Sequence, residues 1–450
     1  MGQATTADFP SRRDACPEIF SAAAGLFVAL SVLKFGNPVI FENKIPTPRT
    51  FIEIVDLVWP IGWGYIAFAL LAVLGLAAGR WKKETPKWIL ILPLIWLGWQ
   101  FLAATQTVNL DLTTAVLKHF VACVACFFLG WFALSEAKDL RWFFVGVFVG
   151  FVWMLRIGLQ QHFGGLEATR RYFYLYVPQN VLESSPEFLK KISSNRIFST
   201  LFYPNSFAGL IVLLLPALVF ALVQTTAALR LVTLRWMLIV VFGGSALACI
   251  YWSGSKSAWL VLLLLAAFWI VRSPIPTHWK KMFVALLLVA GLAGFFIKYA
   301  GFFERGATSV GARFDYWRAA VQIAAGHPVL GTGPGTFSVE FKTLKDPNSE
   351  MARLCHNDYL EQACDSGIIG FVAYTLFIFG SLGLLYRQSS NQIDLKLAIW
   401  LGLAGFAVHS FLEFHLYIPA LAWTYFLLLG YLCGTKPIDK PVTPSYSERS

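Results

Sequence analysis

Charged residues are scarce in this 450-residue chain: only 14% of its residues are Asp, Glu, Lys or Arg, whereas 57% are hydrophobic. The mean hydropathy of +0.63 would force a soluble domain of this length to expose apolar surface to water. The shortage of charge therefore excludes a soluble globular protein and indicates an integral membrane protein. Aromatic residues are abundant, with 40 Phe and 17 Trp, and many of them flank the apolar runs, where they favour the membrane interface.

The chain also lacks the charge patterns of several other protein classes. Its 36 basic residues outnumber its 25 acidic ones but are scattered through short loops, so we expect no nucleic acid partner. No series of acids runs through the middle of the apolar segments, which argues against a proton-coupled transporter. Cys123 and Cys126 lie in an apolar run, where packing is expected instead of redox chemistry.

Apolar runs long enough to cross a bilayer recur along the chain, because a helical crossing needs about 17–25 residues. We place them near 18–35, 57–78, 87–105, 113–134, 141–159, 205–223, 235–253, 257–271, 282–299, 368–386, 396–412 and 417–433. The sequence thus predicts an all-α, polytopic integral membrane protein with about twelve transmembrane helices. No cleavable signal peptide is evident, so the first helix is expected to remain.

Basic residues set the orientation of these helices. With a cytoplasmic N-terminus, every inside segment carries Lys or Arg, whereas the outside connections 106–112 and 413–416 carry neither. The resulting segments are a cytoplasmic N-terminus at 1–17, helices one to nine at 18–300 with an outer loop at about 160–204, a large periplasmic loop at 301–367, helices ten to twelve at 368–433 and a cytoplasmic tail at 434–450.

The large loop is predicted to be partly helical. Apolar residues recur at helical spacing after Arg313, and Gly326 predicts the end of that amphipathic helix. A second, short helix is predicted at 357–366, with Asn357 and Asp358 as capping residues and Gly367 as its stop. The run GTGPG at 331–335 between them indicates a connecting turn, with phosphate binding by its amides as the alternative.

Polar residues inside the predicted helices all fall near the outer ends. They are Lys118, His119, Arg156, Lys256, Lys298, Glu413 and His415. Snorkelling to the interface explains each one singly. Their shared bias to one side indicates that the outer face carries the chemistry.

An ordered set of motifs lies in and before the large loop. It comprises RIFSTLFYPN at 196–205, WSGSKSAW at 252–259, Arg313 followed by Trp317, HPVLGTGPGTF at 327–337, HNDYLEQ at 356–362 and GIIG at 367–370. Together they resemble the core pattern of the O-antigen ligase and polymerase superfamily. One departure is Lys256, where that family commonly has Arg; lysine keeps the charge but lacks the planar fork that grips phosphate in two places.

This resemblance implies a GT-C-like glycosyltransferase with its active site on the periplasmic side of the bacterial inner membrane. It implies an undecaprenyl-pyrophosphate-linked glycan as donor, lipid A-core or another glycan as acceptor, and surrounding membrane lipid. The implied reaction inverts the anomeric carbon and uses no metal and no cofactor. A metal held by His356, Asp358 and Glu361 stays open as an alternative.

Candidate site residues follow from the motifs and the chemistry. His356 is the candidate base, because an acceptor hydroxyl needs a base that titrates near neutral pH, and Arg313 is its catalytic partner. The candidates for substrate binding are Arg196, Lys256, Arg318, Tyr359 and Gln362. Positive charge at Arg196, Lys256 and Arg313 suits a pyrophosphate leaving group.

Structural interpretations of the same residues stay open. Arg313 is instead expected to pair with Asp315 or Asp358 if its role is structural, and Tyr359 and Gln362 then pack in the interior. A disulfide between Cys355 and Cys364 is a further alternative, although a helix between them would hold them apart. Three other functions also remain: a polymerase of the same superfamily, a protein O-oligosaccharyltransferase and, from a different class, a membrane transporter.

The orientation is testable by cysteine labelling in intact cells. A cysteine introduced near position 345 should react with an impermeant thiol reagent, and one near position 83 should stay protected. Labelling near 83, or protection near 345, would contradict the predicted topology.

Overall fold

The computed structural model describes residues 12–82, 84–176, 193–304, 308–347, 349–388 and 393–435. Within these ranges the chain is helical and contains no β-strand. The N-terminal eleven residues, position 83, part of the predicted outer loop at 177–192 and the predicted tail from 436 onward lie outside the described residues.

The helices are numbered here in chain order. They are α1 (Arg12–Lys34), α2 (Phe51–Asp56), α3 (Ile61–Ala78), α4 (Lys87–Ala103), α5 (Leu110–Phe132), α6 (Arg141–Gln160), α7 (Leu166–Tyr176), α8 (Pro204–Thr225), α9 (Val232–Ser253), α10 (Lys256–Arg272), α11 (Thr277–Glu304), α12 (Thr308–Gly326), α13 (Phe337–Leu344), α14 (Asp358–Gln388), α15 (Leu395–His409) and α16 (Pro419–Gly434). A π-helical segment, Gln161–Gly165, joins α6 to α7.

Nine helices of the described chain are long and apolar enough to cross a membrane, namely α1, α3, α4, α5, α6, α8, α9, α11 and α14. The predicted all-α, multi-pass architecture is therefore confirmed. The other three predicted crossings coincide with α10, α15 and α16, which have 17, 15 and 16 residues. Twelve crossings remain a prediction, because these three helices are at or below the shortest usual transmembrane length.

Glycine allows the central helices to pack closely. On α5 and α16, a Cβ at Gly130 would overlap the Leu427 carbonyl oxygen, and a Cβ at Gly430 would overlap that of Phe127. Membrane helices associate through van der Waals contact, and small residues bring their backbones together. These two helices therefore form a tightly packed pair at the centre of the protein.

The two ends of this pair differ in what surrounds them. The segment before α16 lies beside α5, where His119 Nε2 is 2.7 Å from the Leu416 carbonyl oxygen. At the far end of α16, the Cys433 carbonyl accepts a hydrogen bond from Thr85, next to the basic segment that holds Lys82. We call these the motif end, formed by residues 327–336, 354–367 and 410–418, and the basic end, formed by residues 79–82, 84–86 and 134–141.

The segment between α11 and the kink in α14 has its own small apolar core. Residues from α12, α13 and the following loop build it: Tyr316, Ala319, Ala320, Ile323, Phe337, Phe341, Ala352, Cys355 and Cys364. α12 ends at Gly326, as predicted. The helix of residues 358–388 is broken at Ser366 and Gly367, where Gly367 has φ +66° and a Cβ would overlap the Val329 carbonyl, so glycine stops the first part as predicted.

The close contact of α5 and α16 predicts the effect of enlarging one glycine. Gly430→Val should lower the thermal midpoint of the purified protein, because overpacking costs about 1–3 kcal/mol and here the obstacle is backbone. Gly98→Val is the matched control, since a Cβ at Gly98 meets nothing within 4 Å. Equal midpoints for the two variants would contradict the packing of this pair.

Candidate active site

A buried carboxylate, Glu413, lies at the motif end where several segments meet. Its side chain is 1% exposed. Arg313 Nη2 donates to Glu413 Oε1 at 2.5 Å, and Asn205 Nδ2 donates to the same oxygen at 2.6 Å. The other oxygen, Oε2, is 3.3 Å from His356 Nδ1. One carboxylate thus joins a cation from α12 and a polar residue of α8 to the histidine that precedes α14.

Glu413 is ionised in this setting. Burial alone would raise its pKa, but the Arg313 guanidinium and the hydrogen bond from His356 outweigh burial and hold the pKa well below its usual range. A buried charge is stable only when it is paired and hydrogen-bonded, and Glu413 has both kinds of partner. The site therefore contains a fixed negative charge with cations around it.

Arg196 is held against this carboxylate through Asn205. Its Nη2 donates to Asn205 Oδ1 at 2.5 Å, and its Nε donates to the Ser253 carbonyl at 2.7 Å. Gly254 adopts φ +64°, and a Cβ there would lie 3.2 Å from the arginine side chain. The left-handed glycine that ends α9 thus leaves room for Arg196 beside the turn that leads to Lys256.

Lys256 begins α10, directly after the residue that caps this helix. The Ser255 hydroxyl accepts a hydrogen bond from Ala258 N, and Lys256 Nζ lies 3.9 Å from the centre of the Phe302 ring. The charges of Arg196 and Arg313 both act on Lys256. The structure therefore brings together the three cations that the motifs singled out, although they are far apart in the sequence.

His356 has an unusual backbone conformation. Its φ is +56°, a value that few residues other than glycine adopt. Its ring lies between Tyr316, with centroids 5.9 Å apart, and Phe414, at 4.7 Å. The next residue, Asn357, accepts from Tyr359 N and Leu360 N and so caps α14, as predicted. Strain of this kind, held by surrounding packing, is common at functional sites.

The structural alternatives for Arg313 are wrong in their partner. Arg313 pairs with Glu413, whereas Asp315 lies 3.8 Å from Arg318. Asp358 accepts a hydrogen bond from Leu416 N at 3.0 Å. The motifs did not reveal Glu413, because it lies 57 residues beyond His356 and outside every motif. The available signal was its position as an acid at the outer end of an apolar run.

Three of the candidate substrate-binding residues lie apart from the cluster. Tyr359 is 3% exposed and donates to the Ala407 carbonyl, and Gln362 is fully buried. Gln362 accepts from Trp96 and Gln100 and donates to Tyr417. Arg318 is largely exposed on α12. The packing interpretation thus describes Tyr359 and Gln362, and the structure gives none of the three a contact with Glu413 or His356.

The glycine-rich turn at 331–335 uses its amides internally. Gly331 N donates to His327 O at 3.0 Å, Thr332 N to Cys364 O at 2.9 Å and Gly333 N to Asp365 O at 3.0 Å. Glycines 331, 333 and 335 all have positive φ, between 64° and 102°. These contacts support the connector interpretation, because amides that already donate to the chain are not available to a phosphate.

The side chains proposed for alternative chemistry face other partners. The Glu361 carboxylate accepts from Cys355 N, and the described residues contain no group of three or more His, Cys, Asp or Glu able to hold a metal ion. Both thiols of the open disulfide are free. Cys355 Sγ donates to Asn357 O and Cys364 Sγ to Ala320 O.

Comparison with known proteins identifies the segment that carries most of this site. Residues 243–375 match the family model described as O-Antigen ligase. The chain contains an O-antigen ligase domain. The resemblance seen in the motifs is thereby confirmed, and the domain includes Lys256, Arg313 and His356, whereas Arg196 and Glu413 lie on either side of it.

One curated relative matches a shorter part of the chain. It is an uncharacterised protein of Haemophilus influenzae, 29% identical over 111 residues, which are 23% of this chain. The match spans only 28% of the relative's length. The family of the O-antigen ligase domain implies glycosyltransferase-like activity of the ligase or polymerase type, with a lipid-linked glycan, a glycan acceptor and membrane lipid as partners.

Proposed function

We propose that this protein is an O-antigen ligase-like glycosyltransferase that moves glycan from undecaprenyl pyrophosphate to an acceptor hydroxyl such as that of lipid A-core. The observation that carries the proposal is the convergence of Arg196, Lys256, Arg313 and His356 around Glu413 at the motif end. Cations for a pyrophosphate and a base for a hydroxyl are the two requirements of this reaction.

The cations act on the leaving group. As the bond between the anomeric carbon and the pyrophosphate oxygen breaks, negative charge grows on the pyrophosphate, and charge-assisted hydrogen bonds from Arg196, Lys256 and Arg313 stabilise it. Pyrophosphate is a weakly basic leaving group, so positive charge helps it more than a general acid does. In this proposal the transfer requires no metal, because side chains supply the charge.

His356 acts on the acceptor. The acceptor hydroxyl attacks the anomeric carbon from the side opposite the pyrophosphate, its oxygen forms the new glycosidic bond, and its proton passes to the imidazole. Attack from that side inverts the anomeric configuration. The basic segments place this end of the bundle outside the bacterial inner membrane, facing the periplasm, and residues 301–367 form the loop that carries the base.

The acceptor distinguishes three related enzymes. A ligase transfers glycan to lipid A-core, a polymerase extends a second lipid-linked glycan, and a protein O-oligosaccharyltransferase modifies a protein hydroxyl. Lipid analysis of a deletion strain separates them, because unmodified lipid A-core accumulates only when a ligase is lost. Unchanged glycan on all three acceptors would overturn the proposal in favour of a transporter or a noncatalytic subunit.

The lysine in place of the family's arginine predicts a graded response. Lys256→Ala should lower activity by about ten- to a hundredfold, the effect of losing one charged hydrogen bond of about 1.5–3 kcal/mol. Lys256→Arg should keep or raise activity, because a guanidinium restores the charge with a planar fork. Parent-like turnover of the Ala variant by purified protein would show that Lys256 does not contact the pyrophosphate.

The role of His356 predicts a separation of binding from turnover. His356→Ala should bind lipid-linked donor like the parent but lose about a hundred- to ten-thousandfold in turnover, the usual range for a positioned base. EDTA should leave the parent's rate unchanged. His278→Ala, which removes an exposed histidine at the start of α11, is the matched control. Normal turnover, or failure caused only by lost donor binding, would exclude His356 as the base.

A further inference from the structure

Glu413 contacts the candidate base with one oxygen and the cation cluster with the other. Oε2 is 3.3 Å from His356 Nδ1, while Oε1 accepts from Arg313 and Asn205. We propose that Glu413 is the positioning residue for His356, holding the imidazole in the tautomer and orientation that allow it to take the acceptor's proton. The inference rests on the proposed function, because it assumes that His356 is the base.

The contact with Glu413 determines which ring nitrogen carries hydrogen. An ionised carboxylate can only accept hydrogen bonds, so the neutral imidazole beside it must carry its hydrogen on Nδ1. The lone pair then lies on Nε2, the nitrogen that would receive the proton. A carboxylate that holds the far nitrogen of a histidine is the arrangement by which acyl-transfer triads orient their base, although no covalent intermediate is implied here.

The loop of Glu413 also restrains the ring itself. Phe414, the next residue, packs edge-on against His356 at 4.7 Å between ring centroids. Glu413 in turn cannot rotate freely, because Arg313 and Asn205 hold Oε1 and its side chain is 1% exposed. Two adjacent residues of one loop therefore set both the orientation and the tautomer of the imidazole.

Proton transfer adds a second effect. When His356 takes the acceptor's proton, the imidazolium lies beside a negative charge that is already in place, so the developing charge is stabilised without rearrangement. The Coulomb interaction is strengthened by burial. The same carboxylate balances Arg313, so arrival of an anionic pyrophosphate would lessen its need for Arg313 and leave it as the partner of His356.

Other titratable groups face the same region. Arg313 and Tyr316 come from α12, Asp358 from α14, and His415 from the loop of Glu413. Burial, with His409 beside it, lowers the pKa of His415 to about 3, so His415 is neutral at ambient pH. Asp358 accepts from Leu416 N. Glu413 is the group whose carboxylate lies against His356 Nδ1.

Glu413→Gln provides the sharpest test. Its amide oxygen can still accept from Arg313 and Asn205, but its NH₂ would donate to His356 Nδ1 and favour the tautomer with hydrogen on Nε2. We expect kcat to fall by about a hundred- to ten-thousandfold, with donor binding close to the parent's. Glu413→Asp keeps the charge and should recover at least about tenfold of that loss.

The pH profile separates positioning from general structural support. Removal of the carboxylate disfavours the imidazolium, so the acid limb of the activity profile in Glu413→Gln should move to lower pH. An unchanged limb would contradict the proposal. Glu136→Gln is the matched control, because Glu136 pairs with Arg80 and Lys82 at the basic end and its loss should leave kcat and the limb unchanged.

A double variant distinguishes failure of this inference from failure of the proposed function. If Glu413 acts through His356, the pair His356→Ala with Glu413→Gln should be no slower than His356→Ala alone. A slow His356→Ala beside a normal Glu413→Gln would overturn the role of Glu413 only. A normal His356→Ala would overturn the proposed base itself.

Two further outcomes also decide the question. If Glu413→Gln loses donor binding while kcat is retained, Glu413 serves Arg313 and not the base. If the Gln variant does not fold, Glu413→Asp replaces it: a kcat reduced about tenfold with donor binding retained supports positioning, and a parental kcat contradicts it.

Discussion

The ionised Glu413 carboxylate is the constraint on which the motif end depends. A charge buried to this extent is tolerated only because Arg313, Asn205 and His356 satisfy it. Loss of one partner leaves an uncompensated charge, so the segments that supply these partners are tied to one arrangement. Through this carboxylate, the chain ends of α8, α12 and α14 are held at one point before any substrate arrives.

The mounting of His356 shows how the surrounding chain serves that point. The residue is held at φ +56°, next to the Asn357 cap and between two aromatic rings. The glycine-rich turn contributes by connecting α12 to α13, with its amides bonded to the end of the short first part of α14. The motif glycines therefore build the support for the histidine, and the cations of the cluster remain the groups suited to an anion.

The sequence predicted the elements of the fold well because their signals are local. Apolar length predicted the helices, and Gly326 and Gly367 predicted two helix ends that the structure confirms. The shared outer-end position of Lys256 and Glu413 anticipated their location at one end of the bundle. Hydrophobic length could not decide whether short helices such as α15 and α16 cross the membrane.

The parts of the site that escaped prediction are those set by tertiary contacts. Tyr359 and Gln362 stand in the same motif as His356, yet the turn of α14 directs them into the interior, where Gln362 bonds to Trp96 and Tyr417. Glu413 belongs to no motif, and nothing local reveals that it meets Arg313, 100 residues earlier. Side-chain direction and long-range pairing require the folded chain.

Photocrosslinking tests most directly whether the cluster around Glu413 binds the donor. A photoreactive phenylalanine analogue at Phe302, whose ring lies 3.9 Å from Lys256 Nζ, should capture fluorescent undecaprenyl-pyrophosphate-linked glycan. The same analogue at Phe132, at the end of α5 next to the basic end, serves as the reference. Capture at 302 that unlabelled donor abolishes, with little capture at 132, is the expected result. Equal capture at both positions, unaffected by unlabelled donor, would contradict a donor site at this cluster.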